Sequence, residues 1–158
     1  MAPTKRKKKP AAKKRPAKKP AAARRKTRKQ PETLRLRSVA PSLTVNSLDR
    51  SIAFYRDLLG FVQSDQWEMN GRLAGVELAA GSVRLMLMQD DFAKGRDRVK
   101  GIGTRLNLRT IQRVDDIASR ITSMGGTLTY APRDMEWGER AFGVDDPDGF
   151  HLTILQER

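Results

Sequence analysis

LDRSIAFYRDLLG, residues 48–60, is the most informative segment of this sequence for predicting the fold. Its apolar residues recur at the spacing of one helix face: Leu48, Ile52, Tyr55 and Leu59. Ser47 stands where a helix cap is expected, and Gly60 stands where a helix would stop. The pattern predicts an amphipathic helix that packs one face against a sheet.

A second segment, VDDIASRITSMGG at residues 114–126, repeats the pattern. Its apolar stripe is Val114, Ile117, Ile121 and Met124, and a Gly-Gly pair ends it. A shift of 65 residues superposes Leu43 on Leu108, Ile52 on Ile117, Ala53 on Ala118 and Gly60 on Gly125. The chain therefore contains an internal repeat, and two units that cannot each cover their own sheet should pack together.

One strand precedes each helix, and three short alternating segments with turn signals between them follow it. The first set is SVAPSLTV, then FVQSDQWE, RLAGVEL and SVRLMLMQ; the second is TRLNLRTI, then TLTYAP, ERAFGVDD and FHLTILQ. The predicted fold class is α+β, with two βαβββ modules at about residues 36–90 and 103–157 of a domain spanning 34–158. Residues 90–103 are predicted to link the modules.

Two segments in combination, VNSLDRSIAFYRDLLGF (45–61) and WGERAFGVDDPDGFHLTIL (137–155), carry a family resemblance. Over roughly residues 36–156 the chain resembles the vicinal oxygen chelate superfamily, the glyoxalase, bleomycin-resistance and extradiol-dioxygenase group. The resemblance implies that the two modules form a concave mixed sheet around a shared cavity. It also implies that this cavity is often completed in a homodimer.

Period-two alternation assigns each strand residue either to the helix side or to the opposite side, called the open face below. Open-face residues and two tryptophans are the candidate ligand-binding set: Arg84, Met86, Arg105, Asn107, Arg109, His151, Thr153, Trp67 and Trp137. The arginines favour an anionic or carbonyl-rich ligand, and Arg105 is predicted to anchor it. A plain solvent-facing sheet surface is the alternative reading of the same pattern. Either tryptophan could stack on a ligand or pack at a module or dimer interface.

Family members with a divalent metal use four ligands on these strands. By the resemblance, their positions fall on Ala40, Arg105, Thr153 and, in less certain register, Met86. None of these side chains is an imidazole or a carboxylate, the ligands such metals need, and Glu77 could not form a site alone. We therefore expect no metal ligands and no cofactor, a divalent metal included.

Other catalytic patterns are sparse. The chain has no Cys and no phosphate-binding glycine loop. His151 is a weak candidate for an acid or base, because the pattern places no carboxylate partner beside it. Asp145, Asp146 and Asp148 suggest a tight turn rather than a metal loop. The catalytic residues are otherwise unknown.

Positive charge is concentrated at the start of the chain: 15 of the 32 Lys and Arg lie in residues 1–30, with no Asp or Glu. The remainder carries 17 basic and 18 acidic residues, so the formal +14 is +15 from this segment and −1 from the rest. Lys, Arg, Ala and Pro predominate, which predicts a disordered arm over residues 1–33. The candidate nucleic-acid contacts are Lys7, Lys8, Lys9, Lys13, Lys14, Arg15, Arg24 and Arg25. The arm has no aromatic residue to stack on bases, so it should bind DNA or RNA without sequence specificity. The alternatives are an arm that only increases solubility or, in a eukaryote, a nuclear localisation signal.

Three functions remain open from sequence. The first is a metal-free, homodimeric domain that binds a small molecule. The second is a lyase or dioxygenase-type enzyme of the same superfamily, and the third is a nucleoid-associated accessory protein whose body only dimerises. We expect a cytoplasmic location, with nucleoid association through the arm (nuclear in a eukaryote), and no membrane contact, because no apolar run has membrane-spanning length.

Overall fold

Two βαβββ modules follow one another in residues 36–157, which are the residues that the computed structural model describes. The predicted basic arm and all its candidate contacts lie outside the described residues. The first module comprises β1 (Ser42–Val45), α1 (Leu48–Ile52), a π-helical continuation (Ala53–Leu58), β2 (Val62–Met69), β3 (Arg72–Ala80) and β4 (Val83–Gln89). The second comprises β5 (Arg105–Thr110), α2 (Val114–Ser123), β6 (Tyr130–Asp134), β7 (Arg140–Asp145) and β8 (His151–Gln156).

The two sheets have the same topology, β1-β4-β3-β2 and β5-β8-β7-β6. In each sheet the strand before the helix pairs in parallel with the last strand, and the other pairs are antiparallel. The α+β class and all eight strands are confirmed. The first strand is shorter than predicted, because it begins after Pro41, which has no N–H to donate to a neighbouring strand. The Pro41 carbonyl still accepts from the Met86 N–H at 2.8 Å.

The first helix is capped as its sequence indicates, but it is not α-helical throughout. The Ser47 hydroxyl accepts from the Arg50 N–H at 3.4 Å. After Ile52 the chain continues as a π-helix that ends at Leu58, and Gly60 follows with φ +84°. There the Phe61 N–H donates to the Tyr55 carbonyl at 2.9 Å, a helix-ending bond that only a residue tolerant of positive φ allows.

One prediction for the second helix is wrong. Met124 is not on the buried stripe, since it is 53% exposed. The helix ends at Ser123, so Met124 already leaves the helical path, and the buried face is formed by Val114, Ala118 and Ile121.

A single apolar core joins the modules. Three polar contacts cross between them: the Tyr55 hydroxyl donates to Asp146 (3.2 Å), Arg120 to the Leu59 carbonyl (3.2 Å), and the Asn46 N–H to Asp148 (3.1 Å). The linker is fixed by Lys100, whose ammonium group donates to the Asp90 carboxylate and to Asn46. Within residues 36–157 no helix is long and apolar enough to span a bilayer.

Candidate ligand site on the open faces

Strand register arranges the open face of the second sheet in three rows, each running from β5 across β8 to β7. The rows are Arg105–His151–Asp145, Asn107–Thr153–Gly143 and Arg109–Leu155–Ala141. Side chains that are register partners on neighbouring strands project side by side from the same face. Five of the candidate residues are thereby brought onto one surface: Arg105, Asn107, Arg109, His151 and Thr153.

The first row contains a histidine–aspartate pair. His151 Nδ1 lies 2.7 Å from Asp145 Oδ1, which also accepts from the Thr129 hydroxyl at 3.1 Å. One interpretation of the sequence is corrected here: His151 does have a carboxylate partner, Asp145, which is the last residue of β7. The sequence already contained the information that predicts this pair. Asp145 and His151 flank the Pro-Asp-Gly turn symmetrically, so they are opposite each other in the β7–β8 hairpin.

The other two aspartates of this segment are turn residues, as predicted. Asp146 Oδ1 accepts from the N–H groups of Asp148 (2.9 Å) and Phe150 (2.8 Å). The Asp146 carboxylate is buried, and Tyr55 of the other module donates to its second oxygen. This contact joins the two sequence segments that carry the family resemblance.

The three candidate arginines of the open faces differ in their charged partners. Arg109 pairs with Glu139 at 3.1 Å, and Arg84 pairs with Glu77 at 3.7 Å while also donating to the Gly81 carbonyl. The Arg105 side chain makes no hydrogen bond or ion pair with any residue in the part of the chain that the structure describes. Among the three, only the Arg105 guanidinium has all its donors available to a ligand.

The two tryptophans differ in accessibility. The Trp67 ring packs across the strand pair onto Gly75, where a Cβ atom would overlap it, and Tyr130 packs on Gly143 in the same way. Trp137 is 61% exposed, and its indole N–H donates to Glu139 at 2.9 Å. Of the two indoles, Trp137 presents more of its ring to a ligand or a partner.

The first sheet's open face is less polar. Its central row joins Ser42, Met86 and Glu77, and the Ser64 hydroxyl donates to Glu77 at 2.8 Å. A cavity of about 830 Å³ lies at the end of this sheet. Thr44, Met88 and Leu73 line it together with the basic side chains of Arg72 and Lys94. Sequence reasoning did not identify this cavity, because the β2–β3 hairpin and the linker meet there only in the folded chain.

Register also clarifies the metal positions that the resemblance implies. Ser42 and Asn107 are equivalent positions of the repeat, 65 residues apart. The strand partner of Ser42 is Met86, and the strand partner of Asn107 is Thr153. Met86 and Thr153 are therefore equivalent positions in the two modules, and Ala40 is the counterpart of Arg105. None of these four side chains is an imidazole or a carboxylate, the ligands that metal sites of this kind use. Among residues 36–157 no group of three or more His, Cys, Asp or Glu side chains could hold one.

Comparison with known proteins agrees with this architecture. Residues 35–154 match the model of the Glyoxalase/Bleomycin resistance protein/Dioxygenase superfamily. A solved member of that superfamily from Sphaerobacter thermophilus is 26% identical, with a TM-score of 0.60 over 77% of this chain and 98% of that one. A glyoxalase/bleomycin resistance protein from Streptomyces sp. CB03234 is 27% identical, with a TM-score of 0.58 over 74% of this chain and 97% of that one.

More distant structures share the fold alone. TioX from Micromonospora sp. ML1 is 18% identical, with a TM-score of 0.62 over 75% of this chain and 97% of that one. Among curated proteins none matches the sequence. The match to the family model covers most of the chain, and the repeated βαβββ topology agrees with it. The chain therefore belongs to the Glyoxalase/Bleomycin resistance protein/Dioxygenase superfamily.

Proposed function

We propose that this protein binds a small anionic or carbonyl-rich molecule on the open face of its second sheet, without a divalent metal. The observation that carries the proposal is that the Arg105 guanidinium has no hydrogen-bond or ion-pair partner among residues 36–157. A guanidinium offers several fixed donors to a carboxylate or a carbonyl oxygen, and it forms the strongest bonds with charged acceptors. Arg109 and Arg84 contribute less, because Glu139 and Glu77 already neutralise them.

We further propose that the ligand is enclosed between two subunits of a homodimer. The helices cover one face of each sheet, whereas Arg105, Asn107 and Arg109 on the other face are exposed in the single chain. Val62, on the first sheet's open face, is 67% exposed, and Trp137 is 61% exposed. A second copy laid over these faces would bury apolar surface and exclude water from Arg105, which strengthens its bonds to an anion.

Phenylpyruvate is a suitable probe, because it combines a carboxylate, a carbonyl and an aromatic ring. Isothermal titration should show binding to the wild type, and Arg105→Gln should weaken it by at least about 10-fold, the value of one charge-assisted hydrogen bond. The matched control is Arg113→Gln, which removes an exposed arginine at the start of α2 and should leave the affinity unchanged. Equal affinities of wild type and Arg105→Gln would overturn the anchor, and a monomer in light scattering would overturn the enclosure.

A separate observation supports a second function, binding of polyanions by residues 1–30. This segment carries +15 while the rest of the chain carries −1, so the attraction to DNA or RNA would come from the arm. In a gel shift on random duplex DNA, the full chain should bind with an affinity that falls steeply with salt. A chain lacking residues 1–30 should not bind, and binding that survives this deletion would contradict the assignment.

A further inference from the structure

We propose that His151, Asp145 and Arg105 form a metal-independent proton-transfer site for a 2-oxo acid that carries an acidic C–H bond beside its carbonyl group. This inference rests on the proposed function, since it requires the ligand to be held by Arg105. It goes further by assigning a reaction to the same row of the open face. The row places a nitrogen base beside a cation that has no ion pair among the described residues, because Arg105 and His151 are register partners on β5 and β8.

The hydrogen bond to Asp145 decides which ring nitrogen can act. An ionised carboxylate can only accept, so Nδ1 of His151, at 2.7 Å, must be the protonated nitrogen of the neutral ring. The lone pair of the neutral ring is then on Nε2, the nitrogen that Asp145 does not contact. A histidine held in this way is a general base with a fixed tautomer.

Asp145 is itself held in place. Its Oδ1 accepts from the Thr129 hydroxyl at 3.1 Å, and its backbone is in β7 directly opposite His151. Asp145 is therefore a positioning residue: it fixes the tautomer and orientation of His151 and stabilises the imidazolium that forms during the reaction.

The proposed step balances without an oxidant, a reductant or a metal. Nε2 of His151 takes the proton from the carbon beside the carbonyl, and the C–H electron pair becomes the C=C bond of an enolate. The carbonyl electrons move to oxygen, whose negative charge lies beside the Arg105 guanidinium. Return of the proton to carbon regenerates the oxo acid, and its return to oxygen gives the enol. Fixed donors aimed at a developing oxyanion are a large source of rate enhancement.

The experiment follows exchange of the C3 protons of phenylpyruvate for deuterium by proton NMR in D₂O, with the full-length protein and EDTA present. The wild type should exchange them faster than buffer alone. His151→Gln should lower the protein-dependent rate by about 100-fold or more, the usual contribution of a general base. Asp145→Asn should lower kcat while leaving KM within about two-fold, because the substrate is held by Arg105. The matched control, Asp134→Asn, removes a strand carboxylate of the same sheet that pairs with Arg140, and it should keep the wild-type rate.

A second readout does not depend on turnover. His151 is the only histidine in the chain, so the ring nitrogen signals of a ¹⁵N-labelled sample belong to it without further assignment. The wild type should show Nδ1 protonated and Nε2 free, and Asp145→Asn should lose this preference. Both side chains are about 40% exposed, so the substitutions should leave the thermal unfolding curve unchanged.

The outcomes separate the two proposals. Binding of phenylpyruvate without protein-dependent exchange would overturn the proton-transfer site and leave the proposed function standing. Absence of binding would overturn both. Exchange that is unchanged in His151→Gln would overturn the role of the histidine, and an equal loss in Asp134→Asn and Asp145→Asn would overturn the positioning role of Asp145.

Discussion

Replacing Tyr55 by Phe tests the contact that joins the two modules. Tyr55 is fully buried in the first module, and its hydroxyl donates to Asp146 Oδ2 at 3.2 Å. Phe keeps the ring and its edge-on contacts with Phe54 and Phe61, so only the hydroxyl is lost. The substitution therefore isolates one hydrogen bond between two sequence-distant motifs.

The expected cost follows from what remains around Asp146. Its Oδ1 keeps the N–H donors of Asp148 and Phe150, but Oδ2 loses its hydrogen bond inside the fold. A hydrogen bond to a charged group contributes about 1.5–3 kcal/mol. For a domain of this size such a loss corresponds to a decrease of about 5–12 °C in the melting temperature.

The loss should depend on pH. Burial raises the pKa of the Asp146 carboxyl, and the bonds from Phe150, Asp148 and Tyr55 oppose that rise. A carboxyl with a raised pKa contributes stability below the pKa of the unfolded chain and loses it as pH rises through the folded pKa. Removing the Tyr55 hydroxyl raises the pKa of Asp146 further, so the variant should lose more stability near pH 7 than near pH 3. The Tyr55 phenol remains a donor over this range, because burial and the nearby Asp146 raise its pKa.

The assay is urea unfolding followed by tryptophan fluorescence at both pH values. Tyr130→Phe in the second module is the matched control, because within residues 36–157 its hydroxyl makes no hydrogen bond. It should change the free energy of unfolding by less than about 0.5 kcal/mol. If Tyr55→Phe is no less stable than Tyr130→Phe near pH 7, the bond to Asp146 does not stabilise the junction.

Three further predictions follow. Gly75→Ala should cost about 1–3 kcal/mol in urea unfolding, because the new methyl overlaps the Trp67 ring, and the cost should shrink in a Trp67→Leu background. Lys100→Met should destabilise the fold more than Arg98→Met does, since the two cations bind the same Asp90 oxygen but only Lys100 is buried. The hydrogen bond from Lys100 lowers the pKa of Asp90, so this stability is present above the ordinary Asp pKa and is lost as pH falls; Lys100→Met should abolish that part of the acid transition. EDTA should alter neither the melting temperature nor phenylpyruvate affinity, and metal analysis should find no stoichiometric Zn, Ni, Mn or Fe.

Much of the candidate site could be read from strand alternation. Arg105, Asn107 and Arg109 alternate with Leu106 and Leu108, and the same period places His151 and Thr153 on one face of the last strand. The pairing of His151 with Asp145 was missed, because the aspartates around the Pro-Asp-Gly turn were interpreted as turn residues and not as partners of the next strand. The ion pairs of Arg84 and Arg109 were missed as well, because their partners come from a neighbouring strand and a loop.

Local sequence patterns were enough to predict the repeat, the eight strands and, for β1, β4, β5 and β8, the face on which each residue lies. These features depend on local periodicity and on turn residues, which act over a few positions along the chain. Three features came from tertiary contacts alone: which of Arg84, Arg105 and Arg109 lacks a partner among residues 36–157, which carboxylate contacts the histidine, and how Tyr55 reaches Asp146. Those outcomes depend on strand register and on contacts between residues far apart in sequence, and side-chain charge alone does not specify them. Residues 48–60 are enough to predict the module, whereas the candidate ligand site is formed by side chains of β5, β8 and β7.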